Sequence, residues 1–173
     1  MNLLNTRIEA RRVFLLPVSR DHAEEIFRSF TPQITRYMNP RPAQAIDETL
    51  EFIDESRKEI ADGTNLPLSV ICKQTGAFVG CAGLHDIGAN DRELGIWIKQ
   101  ASQGHGYGHE AITAVIEWAR SNLQFEYLRY PVDKRNLPSR KIAERNGGVI
   151  RKEYRKMSQS GFELDEVEYW IYK

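Results

Sequence analysis

Long apolar runs are absent from this sequence, so no segment reads as a membrane span. Met1 to Arg12 lacks the apolar core of a secretory leader, and no leader is expected. Cysteine is scarce: Cys72 and Cys81 are the two present, both in apolar stretches. A disulfide framework is not expected, and both read as reduced core thiols of a cytoplasmic protein. Neither sign of charge is in excess, with 24 basic against 24 acidic residues. Nothing global therefore points to nucleic acid or a membrane surface as partner. Internal repeats, low-complexity tracts and linkers are missing as well. One domain over residues 1–173, with its core from about residue 8, is the expectation.

What is present alternates between two periods. Ile8 to Leu16 reads as a first strand, and Ser19 as the cap of a helix to about Phe30. Asp47 to Ala61 reads as a second helix that Gly63 stops. Its acidic flank is a solvated face or a negative field for a cationic amine. Leu66 to Lys73, Phe78 to Leu84 and Glu93 to Lys99 are strands joined by turn residues, which suggests an antiparallel meander. His109 to Leu123 carries Ala111, Ile112, Val115, Ile116 and Ala119 along one side and is an amphipathic helix. Strands at Tyr127 to Val132, Val149 to Met157 and Glu166 to Tyr172 follow, with a short helix at Pro138 to Asn146. The class is α+β, or mixed α/β.

Between the third meander strand and the amphipathic helix stands Gln103-Gly104-His105-Gly106-Tyr107-Gly108. Alternating glycines let the backbone bend tightly and leave no side chains over its N–H groups. The helix start adds unpaired donors and the positive end of its dipole, so the stretch suits phosphate or pyrophosphate. A dinucleotide fingerprint would need G-x-G-x-x-G near the first strand. A P-loop would need Gly-Lys-Ser/Thr, which the chain lacks. A ligand-free turn would need one glycine, not three.

The pattern Gln-x-x-Gly-x-Gly at Gln103 to Gly108 resembles the acetyl-coenzyme A signature of the GNAT N-acetyltransferases. Glu93-Leu94-Gly95-Ile96-Trp97-Ile98 and Asn136-Leu137-Pro138-Ser139 resemble motifs of its ribosomal-protein alanine N-acetyltransferase branch. The resemblance implies an acyl-CoA N-acyltransferase fold: a central mixed, mostly antiparallel sheet flanked by helices. It implies that acetyl-CoA is the co-substrate, with no metal, and that the strands ending near Lys99 and Val132 diverge around the pantetheine arm. It also assigns pyrophosphate binding to the N–H groups of Gln103, Gly104, His105, Gly106, Tyr107 and Gly108. Pantetheine binding falls to the backbone of Ile96, Trp97 and Ile98, and a further contact to Asn136, which also reads as an N-cap.

Many members of the superfamily carry a tyrosine acid where this chain has Ala143, and Ser139 is the expected substitute. Glu93 is the expected general base, against the reading of a strand-end surface carboxylate; Tyr127, Tyr130 and His85 are alternatives. The basic stretch from Lys134 to Lys156 is a solvated face or a screen for the cofactor phosphates, with Arg140 and Lys141 nearest. His105 and His109 have i, i+4 spacing but no further ligands, so a metal site is not expected. Where the family usually has Gly-Phe, this chain has Gly147-Gly148. The expected acceptor is an amine, either a protein N-terminus or a small molecule such as a polyamine, amino acid or aminoglycoside. A homodimer stays open. A non-catalytic acyl-CoA-binding module and a nucleic-acid-associated regulator are the competing classes.

Overall fold

The meander forms as its turn chemistry predicts, from Leu66–Cys72 (β3), Phe78–His85 (β4) and Glu93–Ile98 (β5). The computed structural model describes residues 1–173. β3 is buried along its whole length, as its apolar sequence, interrupted by Ser69, requires of a strand covered on both faces. Ile8–Glu9 (β1), Val13–Pro17 (β2), Tyr127–Asp133 (β6), Val149–Met157 (β7) and Glu163–Tyr172 (β8) complete an eight-stranded sheet. Its order is β1-β2-β3-β4-β5-β6-β8-β7. All pairings are antiparallel except β5 with β6.

The expected first strand, Ile8 to Leu16, is two strands. Ala10 N–H donates to Val13 O at 3.0 Å, and the exposed Arg11 and Arg12 form the turn. Two arginines do not continue a buried strand, so the chain folds back. The helix expected from Ser19 is also shorter. A single 3₁₀ turn, Arg20–His22, precedes Ala23–Ser29 (α1), and the Ser19 hydroxyl meets the Asp21 carboxylate rather than capping. Ile46–Asp62 (α2) ends at Gly63, whose φ of 75° fits the left-handed cap.

Tyr107–Asn122 (α3) and Leu137–Arg145 (α4) lie on one face of the sheet, α1 and α2 on the other. The stripe of α3 is fully buried at Ala111, Ile112, Val115 and Ala119. Burying each of the larger of these side chains stabilises by roughly 1.5–3 kcal/mol. On the opposite face, Ala23, Ile26 and Ile53 pack on Ile71 and Phe78. α4 ends in a Schellman turn: Gly147 N–H donates to Glu144 O and Gly148 N–H to Ala143 O. A Cβ on Gly148 would stand 2.8 Å from Ala143 O and 3.2 Å from Tyr169 Cβ. No aromatic fits there, which accounts for the missing Gly-Phe.

β5 and β6 pair at a single register position, Glu93 with Arg129, and then part. The cause is covalent. Arg129 N–H donates to Arg92 O at 2.8 Å, so the next N–H of β6 on that side belongs to residue 131. Residue 131 is proline and has no N–H. The ladder stops, and a cleft opens between the strands.

Candidate active site

The glycine loop closes one end of that cleft. Gln103 does not offer its own N–H to a ligand, contrary to expectation, because that group donates to Gln100 O at 3.2 Å. Its side chain instead donates from Nε2 to Ile98 O at 3.0 Å, which ties the loop to the end of β5. Gly104 and Gly106 adopt φ of 79° and 80°, where a side chain would be strained. From Gly104 to His109 no backbone N–H has a backbone partner. Six successive donors therefore stay without a backbone partner at the start of a 16-residue helix. His105 turns its ring back, with Nδ1 2.9 Å from Gln103 O, and stacks on Tyr107.

The loop opens into a cavity of about 620 Å³, lined also by Ile96 to Ile98, Asn136, Ser139, Lys141 and Arg145. The cations of the Lys134 to Lys156 stretch separate cleanly here. Lys134 pairs with Glu153 and Asp165, Arg135 with Asp133, Lys152 with Glu168, Arg155 with Glu163 and Lys156 with Glu166. Arg151 donates to Tyr172 Oη. Arg140, expected near the cofactor, donates to Tyr169 Oη at 3.0 Å and to Lys134 O, and is absent from the cavity wall. Lys141 and Arg145, one helical turn apart on α4, have no acidic partner and both line the cavity.

The open edge of β5 supplies main-chain groups. Lys99 N–H pairs with Val79 O, so Glu93, Gly95 and Trp97 direct their backbone toward β4 by alternation. Ile96 and Ile98 face the gap that Pro131 leaves. The Trp97 backbone, expected to face the pantetheine arm, is turned away; its ring walls the cavity instead. Asn136 Oδ1 caps α4 by accepting from Ser139 N–H at 3.3 Å. The Ser139 hydroxyl lies 2.8 Å from the buried Tyr130 Oη, and burial pushes that phenol up and keeps it protonated.

A second cavity, about 370 Å³, opens on the α1–α2 side. It shares Met38, Ile96 and Trp97 with the first, so the two meet across the end of β5. His85 lines it. Gly83 and Gly95 face each other in register, and a Cβ on either would stand within 3.4 Å of His85 Nε2. The two glycines thus clear the floor on which the imidazole lies. Burial lowers the pKa of His85, opposed by Asp86 and Glu59, and favours the neutral ring.

Glu93, expected beside the cleft as the base, lines neither cavity. Arg129 holds its carboxylate at 3.0 Å, within a cluster that includes Asp91 and Glu168. Burial raises the pKa of Glu93 and Arg129 opposes the shift. His85, given less weight from the sequence, lies two residues after Gly83 on β4, and Gly95 stands opposite Gly83 on β5.

The comparisons with known proteins agree with this geometry. A family model described as acetyltransferase (GNAT) domain matches residues 12–149. A curated N-acetyltransferase of Bacillus licheniformis, p20, described as uncharacterized, is 25% identical over 113 residues. The match spans 64% of either chain. Among solved structures, the microcin C7 self-immunity acetyltransferase MccE, in complex with acetyl-CoA and AMP, is 20% identical with a TM-score of 0.86 over 99% of both chains. A spermidine N-acetyltransferase from Vibrio cholerae, in complex with CoA and spermine, is 20% identical with a TM-score of 0.81, over 93% of this chain and 95% of that one. A protein of the same organism provisionally described as a ribosomal-protein-serine acetyltransferase gives 22% and 0.81, over 98% and 99%. At these identities the structural likeness concerns the fold, and the family follows from the domain match: the chain belongs to the GNAT acetyltransferases, whose acetyl donor is acetyl-CoA.

Proposed function

We propose that this protein transfers an acetyl group from acetyl-CoA to a primary amine that enters from the α1–α2 side. The observation that carries the reading is the meeting of two cavities at Met38, Ile96 and Trp97, beside the main-chain groups freed by Pro131. The larger cavity suits the donor: unpaired loop N–H groups and the unpartnered Lys141 and Arg145 for phosphates, and the edge of β5 for the amides of the arm. Acetyl-CoA supplies the thioester.

His85 takes a proton from the incoming amine, since it faces the acceptor cavity and is held neutral. The nitrogen forms its bond to the carbonyl carbon, and the N–H of Ile96 or Ile98 stabilises the developing oxyanion. The carbon–sulfur bond then breaks. Ser139 gives its proton to the departing sulfur, while Tyr130 donates to the serine oxygen and orients its hydrogen toward the cleft. Glu93, held by Arg129, supports β5 rather than reacting.

Both protein and small-molecule acceptors are represented among the structural neighbours, in a protein provisionally described as a ribosomal-protein-serine acetyltransferase and in a spermidine N-acetyltransferase. Free-thiol release from acetyl-CoA, measured against a panel of amines and N-terminal peptides, tests the reading. Amine-dependent release supports it. Binding of acetyl-CoA with no release for any acceptor would favour a non-catalytic acyl-CoA-binding module.

A further inference from the structure

The acceptor cavity has a chemical character of its own; its role as the amine entrance rests on the acetyl-transfer reading above. α2 is strongly acidic, yet of its carboxylates only Glu48 reaches the cavity, and Arg41 holds that one at 3.0 Å. Asp54 is turned away toward Arg20. The wall therefore presents a compensated ion pair at its rim and no free carboxylate. Apart from Thr49, His85 and Gln159, the remaining side chains are aromatic and apolar. Phe30 and Trp97 have ring centroids 5.0 Å apart, and Phe27 and Phe52 complete the enclosure. Phe52 is 46% exposed on a helix whose other outward residues are largely charged. An exposed ring that faces a concave site marks a surface suited to an apolar ligand. A polyamine or aminoglycoside would bring several ammonium groups to a wall with no carboxylate to pair them, losing hydration without compensation.

We infer that the acceptor is a monoamine carried on a large apolar or aromatic group, seated among Phe27, Phe30, Phe52 and Trp97 with its nitrogen toward His85. An aromatic N-terminal residue of a peptide and a free arylalkylamine offer this same chemistry. A cavity of about 370 Å³ accommodates one such group and its amine.

Thiol release from acetyl-CoA is measured with phenethylamine, a peptide beginning with phenylalanine, ethylamine and spermidine. The two phenyl acceptors are expected to exceed ethylamine and spermidine in kcat/KM by about tenfold or more. Whichever of the two leads identifies the source. Phe52→Asp is expected to lower kcat/KM for the phenyl acceptors by about tenfold, and Phe52→Leu to retain most of it. Neither should alter the melting shift given by acetyl-CoA. Spermidine or ethylamine matching the phenyl acceptors, or an unaffected Phe52→Asp, overturns the inference and leaves acetyl transfer standing. If acetyl-CoA stabilises the protein but no acceptor releases thiol, phenethylamine must add to the stabilisation of the CoA-loaded protein; no addition overturns the inference. Absence of any stabilisation by acetyl-CoA overturns both readings.

Discussion

Replacing Lys141 and Arg145 together by alanine separates a phosphate-binding pair from a merely basic surface. Both side chains line the larger cavity, and neither is neutralised by an acidic neighbour. A unit charge about 7 Å from a phosphate contributes about 0.6 kcal/mol in bulk water and about 2.4 kcal/mol at an effective dielectric of 20. Two such cations at a partly solvated cleft contribute about 1–5 kcal/mol. The double variant should therefore bind acetyl-CoA roughly 5- to 3,000-fold more weakly, a factor of ten being about 1.4 kcal/mol. The loss should shrink as salt is raised, because the Debye length falls from about 10 Å at 0.1 M to about 3 Å at 1 M. Isothermal titration calorimetry at two salt concentrations measures both effects. Lys152→Ala is the control: its ammonium belongs to the same basic stretch but pairs with Glu168 and lies outside the cavity. Equal weakening by Lys152→Ala, or unchanged affinity in the double variant, would refute the reasoning.

His85→Gln should lower kcat by about 10²–10⁴ and remove the acidic limb of the pH–rate profile, leaving acetyl-CoA affinity intact. Burial depresses the folded pKa of His85, so below the unfolded value of 6.5 the unfolded chain binds the extra proton. Stability should thus fall as pH drops from 6.5 toward the folded pKa and level off beneath it; urea titrations of His85→Gln should show a shallower fall. Ser139→Ala should reduce turnover more for poor leaving conditions near neutral pH than in alkali, where the thiolate needs no acid; rapid-quench kinetics across pH reads this. Gly148→Ala should destabilise by about 1–3 kcal/mol, since its methyl would press on Ala143 O at 2.8 Å; a denaturant melt that matches the wild type contradicts that packing.

Much of the fold was open to reading because periodicity and turn residues carried it. The β7 boundaries, Val149 and Met157, and the stripe of α3 followed directly from pattern. Ile8 to Leu16 misled because it mixes charged and apolar residues with no glycine or proline to mark a turn at Arg11 and Arg12, and only the pairing of β1 on β2 shows it. The divergence of β5 and β6 came from resemblance alone, although Pro131 gave a local reason for it. That reason needs the knowledge that residue 131 donates toward β5, which is a fact of pairing parity. The same holds for Trp97 and Ile96: one register step decides which backbone meets the cleft. Arg140 and Lys141 are adjacent and chemically alike in sequence, and helical phase sends one to Tyr169 and the other to the cavity. Glu93 and His85 face each other across β4 and β5, and only the tertiary position of Arg129 draws the carboxylate away.

The most direct measurement is the melting temperature with and without acetyl-CoA. A ligand that binds only the folded state stabilises by about 2.7 kcal/mol at a hundredfold excess over Kd. For a chain of this size that corresponds to a rise of about 5–10 °C. The wild type should show that rise. Gly106→Val, which forces a β-branched side chain into a left-handed position at φ 80° in the loop, should lose it. A wild-type melting temperature that does not move at saturating acetyl-CoA would contradict the account.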